Sequence, residues 1–108
     1  MGTLKDNEVA ALAKLKEVLA RDYRLVALKL FGSKARGDSR RESDIDVLIV
    51  LDECSRETRN AVWDLCYDVS IDHSVVIAPV VYSRVEFESP LEKASLFHRA
   101  VEREGVFL

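Results

Sequence analysis

Hydrophobic positions recur with two different periods along the first half of this chain. Between Asp6 and Arg21 they return every three or four residues, with lysines and glutamates between them, which predicts an amphipathic helix. The runs Arg24–Phe31 and Asp44–Leu51 are largely apolar and branched, which predicts two strands. Because the second run is almost wholly apolar after its two acids, we expect it in the centre of a sheet.

The second half repeats the alternation of helix and strand. Helical spacing predicts a long helix from Ser55 to Val69, and the β-branched run Ser74–Tyr82 predicts a third strand. Pro79 lacks an N–H, which confines it to an edge strand, a bulge or a strand end. We expect a last helix over Leu91–Arg103, and an apolar tail at 106–108 that could add a short edge strand.

This alternation predicts one α/β (α+β) domain over residues 1–108. We expect two layers, a small mixed β-sheet with helices packed on one face. A chain of 108 residues can bury one core but leaves no room for a separate substrate domain. Its 48% hydrophobic and 32% charged residues are typical of a folded globular protein.

Charge and cysteine content argue against several classes of function. A net charge of −3 disfavours a domain that mainly grips nucleic acid. Cys54 and Cys66 lack the spacing of a zinc site or a disulfide framework, and Cys66 is expected in the core. We find no apolar stretch of membrane-spanning length and no signal-like N-terminus, which favours a cytoplasmic protein without a membrane partner.

The most informative segment joins the first two predicted strands. It consists of Gly32-Ser33-Lys34-Ala35-Arg36-Gly37, a polar loop over 38–43, and then Asp44-Ile45-Asp46. Gly32 allows the backbone to approach a phosphate closely, and the Ser33 hydroxyl can donate to a phosphate oxygen. Asp44 and Asp46 are two residues apart on a strand and therefore share a face. Neighbouring carboxylates repel each other, a cost that proteins accept mainly where a cation lies between them.

Each part of this segment also has an ordinary structural explanation. A Gly-Ser pair can be a turn and a helix N-cap, and the two acids can be solvated at a strand end beside arginines. Arg36 can steer a triphosphate or the leaving pyrophosphate, or it can pair with Asp38 or Glu42. Lys34 and His98 are expected in contact with solvent. The combination of the turn with the paired acids favours a nucleotide site more strongly than either part does.

The order Phe31-Gly32-Ser33, then Ser43-Asp44-Ile45-Asp46-Val47, resembles the signature of the polymerase-beta-like nucleotidyltransferase superfamily. The fuller run Gly-Ser-x-Ala-Arg-Gly and the chain length resemble the minimal nucleotidyltransferases, small one-domain prokaryotic proteins. The resemblance implies transfer of a nucleoside monophosphate, usually AMP from ATP, to a hydroxyl with release of pyrophosphate. It further implies that Gly32 and Ser33 hold the β- and γ-phosphates. Asp44 and Asp46 would bind Mg²⁺, with two ions in the active complex.

The resemblance also implies a protein partner. Many minimal members are antitoxins of HEPN-domain toxins, and some adenylylate a tyrosine of the toxin. The expected partners are therefore ATP or another nucleoside triphosphate and a HEPN-type toxin, with nucleic acid disfavoured as a direct substrate. A small-molecule acceptor, such as an aminoglycoside, would need additional surface from a homo-oligomer.

One feature departs from the family pattern. Catalytically complete members carry a third carboxylate on the strand after the second long helix, whereas the run 74–81 of this chain contains no acid. Asp72, just before this run, is the predicted third catalytic carboxylate, and Asp68 lies one helical turn earlier. If Asp72 cannot reach the metal ions, the alternative is a weak or inactive module that neutralises its partner by binding alone.

Overall fold

The computed structural model describes residues 4–37 and 44–108, so the predicted loop at 38–43 lies outside the described residues. None of the described helices is long and apolar enough to cross a membrane. In chain order the elements are α1 (Asp6–Asp22), β1 (Leu25–Phe31), α2 (Gly32–Arg36), β2 (Ile45–Leu51), α3 (Arg56–His73), β3 (Ile77–Ser83), α4 (Arg84–Glu88), α5 (Pro90–Lys93), α6 (Leu96–Glu104) and β4 (Val106–Phe107).

β2 lies inside a mixed four-stranded sheet of order β3-β2-β1-β4. It pairs antiparallel with β1 and parallel with β3, while β4 pairs antiparallel with β1. The predicted interior position of β2 and the predicted strand at the C-terminus are both confirmed. β3 is an edge strand, which is where the missing N–H of Pro79 is tolerated.

The two long helices bury one face of this sheet. Successive strand residues point to opposite faces, so alternate residues of β2 meet α1 and α3. Cys66 of α3 is 1% exposed in this core, as predicted, and burial raises the pKa of its thiol to about 12. The fully buried members of this core include Ala11, Leu15, Leu19, Leu30, Ile45, Val47, Ile49, Leu51 and Val62. The prediction of a small α+β domain with a mixed sheet is confirmed.

The short C-terminal helices cover part of the opposite face. Leu48 and Val50 of β2 point to this side and pack with Val101 of α6. Phe31 and Phe97 meet edge to face there, with ring centroids 5.3 Å apart. The long helices pack on one face of the sheet, as expected. The segment from α4 to α6 adds a partial layer on the other face, which the prediction did not include.

Capping residues explain why two helices differ from the predicted bounds. The Ser55 hydroxyl accepts a backbone N–H in the first turn of α3, and this helix continues to His73, beyond the predicted end at Val69. The single helix predicted over 91–103 is two helices, because Ser95 caps a new start with its hydroxyl. Serine competes for backbone hydrogen bonds inside a helix and favours such caps.

Candidate functional site

The antiparallel pairing of β1 with β2 places the glycine of the Gly-Ser bend against Asp46. Phe31 ends β1 opposite Asp46, and Gly32 follows with a φ of +72°. A Cβ built on Gly32 would overlap Oδ2 of Asp46 and lie 3.2 Å from its Cγ. The carboxylate therefore faces the backbone at the start of α2, and only glycine leaves room for it. The side chain of Ser33 lies outside what the structure describes, and its bond to a phosphate stays a prediction.

Burial and a neighbouring charge raise the pKa of Asp46. The largest cause is the desolvation of its half-buried carboxyl group, the charge of Asp44 adds to it, and the charge of Arg36 opposes it. Asp44 is exposed just before β2 begins. Gly32, Arg36 and the two aspartates thus gather at one end of β1 and β2. A cation bound beside Asp46 would favour the charged form of its carboxylate.

The two aspartates fit the ligand chemistry of Mg²⁺. This ion commonly takes one or two protein carboxylates and completes its octahedron with water and substrate phosphate oxygens. Within residues 4–37 and 44–108, no group of three or more His, Cys, Asp or Glu side chains could hold a metal ion. As far as the described residues are concerned, water and a substrate would supply the ligands that Asp44 and Asp46 do not.

Asp72 does not lie on the strand where a third carboxylate was expected. It is exposed in the last turn of α3, and α3 packs on the face of the sheet opposite the Asp46 side chain. Ser74 ends this helix with a left-handed φ of 56°, which delays β3 to Ile77. The residue of β3 that pairs with Asp46 is Ala78. Since paired residues share a face of the sheet, a methyl group occupies the position beside Asp46, and Asp72 gains no support as its catalytic partner.

Arg36 extends from α2 to the C-terminal helix. Its Nη1 lies 3.2 Å from Oε2 of Glu104, and 44% of the Arg36 side chain is exposed. The alternative partners named from the sequence, Asp38 and Glu42, lie outside the described residues. Arg36 is the last residue of α2, whose first residue, Gly32, faces the Asp46 carboxylate, and the charge of Arg36 lowers the pKa of Asp46. It is therefore placed to meet a polyphosphate at this end of the sheet.

The prediction that Lys34 is solvated is wrong. Its side chain is 1% exposed, and Nζ lies 2.7 Å from Oε2 of Glu8 in the first turn of α1. Burial alone would raise the pKa of Glu8, but the hydrogen bond and charge of Lys34, together with Lys5, hold it below its ordinary value. One sequence signal was available, since Glu8 stands four residues before Leu12 on the apolar face of α1.

The expected surface position of His98 is also wrong. The residue is 2% exposed, and its Nε2 lies 3.0 Å from Oε1 of Glu102. Its ring packs on Phe87 with centroids 4.5 Å apart. The Tyr82 hydroxyl donates to Glu92, and burial and this acceptor raise the pKa of Tyr82 to about 12. These contacts hold α4, α5 and α6 together.

An α+β domain with an acid pair beside a Gly-Ser bend is the arrangement of a nucleotidyltransferase domain, and the sequence matches the nucleotidyltransferase domain family over residues 12–103. "Putative protein adenylyltransferase MJ0604" of Methanocaldococcus jannaschii is 39% identical over 101 residues, covering 92% of this chain and 95% of that relative. "Putative protein adenylyltransferase MJ1379" of the same organism is 45% identical over 42 residues, 39% of this chain and 42% of that protein. This chain therefore belongs to the nucleotidyltransferase domain family, which confirms the prediction of a nucleotidyltransferase domain.

Solved structures show the same fold. One, described as "Structure of putative minimal nucleotidyltransferase", has a TM-score of 0.65 and 25% identity, and the match covers 98% of this chain and 99% of that one. Another, described as "Crystal structure of the toxin-antitoxin with AMP-PNP", has a TM-score of 0.64 and 21% identity over 95% of this chain and 72% of that one. At that identity the second likeness concerns the fold alone.

Proposed function

We propose that this protein is a Mg²⁺-dependent nucleotidyltransferase that transfers a nucleoside monophosphate, AMP from ATP, to a hydroxyl group of a partner protein. The observation that carries this proposal is the carboxylate of Asp46 held against Gly32, with the charges of Asp44 and Arg36 beside it. A phosphate-binding bend and a pair of metal-binding acids then face the same space. Membership of the nucleotidyltransferase domain family supports the reaction class.

Each of these residues has a role in the proposed reaction. The acceptor oxygen forms a bond to the α-phosphorus while the bond to the pyrophosphate oxygen breaks, and the hydroxyl proton is released. The backbone at Gly32 and Ser33 holds the β- and γ-phosphates. Asp44 and Asp46 would hold Mg²⁺, and the bound ion would supply positive charge that neutralises the triphosphate and the leaving pyrophosphate. The guanidinium of Arg36 adds positive charge at the same place.

We propose that the partner is a toxin of the HEPN type. Relatives of this chain are named as protein adenylyltransferases, and a structural neighbour is described as a toxin-antitoxin complex. The chain itself offers an apolar row on α3, since Trp63, Tyr67 and Ile71 are 50%, 66% and 58% exposed. The row borders a groove of about 300 Å³ that Val76 and Pro79 also line. Contiguous exposed apolar surface of this kind often marks a protein interface.

Label transfer from ATP tests the proposed reaction. The purified chain is incubated with Mg²⁺, α-³²P-ATP and the protein encoded beside it, and we expect the label on that protein. Asp46→Asn should reduce labelling at least about hundredfold, because the site then loses a metal-binding charge. γ-³²P-ATP is the matched control and should give no label, since the γ-phosphate leaves with pyrophosphate. Undiminished labelling by Asp46→Asn would contradict the assignment.

A second candidate function is neutralisation of the partner by binding alone. Ala78 favours it, because this residue places no carboxylate beside Asp46 on β3. The double variant Asp44→Asn with Asp46→Asn separates the two functions when it is expressed with the toxin in growing cells. Full protection without label transfer supports binding alone. Loss of protection together with loss of transfer supports the enzyme.

A further inference from the structure

A buried ion pair connects the Gly-Ser bend to α1. Lys34 stands two residues after Gly32, and its Nζ reaches Oε2 of Glu8 at 2.7 Å, with side chains that are 1% and 5% exposed. The other oxygen of this carboxylate, Oε1, accepts the backbone N–H of Lys5 at 2.8 Å, where α1 begins. A single carboxylate therefore joins the bend to the first turn of α1.

This ion pair is more deeply buried than the ion pair that Arg36 of α2 makes with Glu104. The helix has only five residues, and a helix that short is not stable on its own. The side chains of Arg36 and Glu104 are 44% and 27% exposed, and exposed pairs of this kind contribute little. A buried pair is different, because removal of one partner leaves an uncompensated charge away from water. We therefore expect the buried pair of Lys34 and Glu8, together with the packing of Ala35 against the core, to fix the direction of α2.

We propose that Lys34 and Glu8 are a positioning pair for the phosphate-binding bend. In a P-loop, the lysine of the glycine-rich turn reaches the phosphates of the nucleotide. Here its ammonium group is turned toward α1, so it acts through the backbone and holds Gly32 against Asp46. The inference rests on the proposed function, since it concerns the affinity of that same site for MgATP. A small displacement of such a bend is expected to weaken binding and transfer strongly.

Calorimetric titration of the full chain with MgATP tests this role. Lys34→Met and Glu8→Gln should each weaken binding at least about tenfold, at a temperature where circular dichroism shows that the variants are folded. The double variant Lys34→Met with Glu8→Gln carries no uncompensated charge and should regain thermal stability. We expect it to keep the weakened affinity, because the tie to α1 is still missing.

Val69→Ala is the matched control for stability. Val69 is 4% exposed in the core between α3 and the sheet, so its truncation lowers the melting temperature without touching the bend. We expect this variant to bind MgATP within about twofold of the parent chain, since its bend is unchanged. Parental affinity in the neutral double variant, or equal weakening by Val69→Ala, would overturn the positioning role.

Hydrogen exchange tests the same inference without nucleotide. In the neutral double variant, the amides of residues 33–36 should exchange at least about tenfold faster, while those of β2 keep their rates. Unchanged rates at the bend would overturn the inference even if the parent chain bound no MgATP. If the parent chain fails to bind MgATP, this result counts against the proposed function. Faster exchange at the bend in the variant would still support the positioning role.

Discussion

Replacement of Gly32 by alanine tests whether the Gly-Ser bend depends on its close contact with Asp46. At a φ of +72°, the added Cβ costs about 1–2 kcal/mol in backbone strain. The same Cβ overlaps Oδ2 of Asp46, and an extra atom forced into a packed site costs about 1–3 kcal/mol. We therefore expect Gly32→Ala to lower the free energy of unfolding by about 3 kcal/mol, measured by urea denaturation.

Gly37 provides the matched control for backbone strain. It has a φ of +80°, and a Cβ built there meets no atom within 4 Å in the described part of the chain. Gly37→Ala should therefore lower the free energy of unfolding by only about 1–2 kcal/mol, the backbone strain alone. The difference of about 2 kcal/mol between the two variants measures the overlap with the neighbouring strand.

A double-mutant cycle identifies the carboxylate as the cause. Asp46→Ala removes Oδ2 and Cγ and leaves Cβ, which lies 3.4 Å from the Cβ built on Gly32, an ordinary contact. In that background Gly32→Ala should again cost only about 1–2 kcal/mol, the backbone strain alone. The two substitutions should thus be coupled by about 2 kcal/mol. Costs that add within about 0.5 kcal/mol would refute the contact between the bend and Asp46.

Three further substitutions probe the charges of the site and of the buried pair. Ala78→Asp places a carboxylate beside Asp46, and because the missing acid is expected to limit catalysis, label transfer should rise about tenfold or more. Unchanged transfer would show that this position contributes nothing. Glu104→Gln releases Arg36 from its ion pair and should tighten MgATP binding about threefold by calorimetry, and weaker binding would contradict this expectation. The pKa of Glu8 lies below its ordinary value of 4.5, so its charge stabilises the fold above about pH 5, and this stability is lost as the pH falls through the folded-state pKa. Glu8→Gln should flatten the decline in unfolding free energy between about pH 5 and 3, and an equally steep decline in the variant would argue against the role of this carboxylate.

Local patterns in the sequence are sufficient to predict the helices and strands and to identify the pair of acids, Asp44 and Asp46. The 3.6-residue and two-residue periods reflect which side chains face the core, and this is decided within a single helix or strand. The apolar run after Asp46 therefore predicted an interior strand, and the tail at 106–108 predicted an edge strand, which the sheet order confirms. The sequence predicts the bounds of the helices less well, because a capping residue such as Ser95 competes with the continuation of a helix.

Contacts between elements that are distant along the chain could come only from the tertiary structure. The sequence predicts a solvated Lys34 because its partner, Glu8, belongs to another helix, and the two side chains meet only when the fold brings the first turn of α1 within reach of Lys34. The pairing of Ala78 with Asp46 depends on the register of two parallel strands joined through α3, which no local pattern specifies. Asp72 is close to β3 in sequence, yet it lies on the opposite side of the sheet from the Asp46 side chain. Sequence thus determined which residues could form a nucleotide site, and packing decided which of them meet.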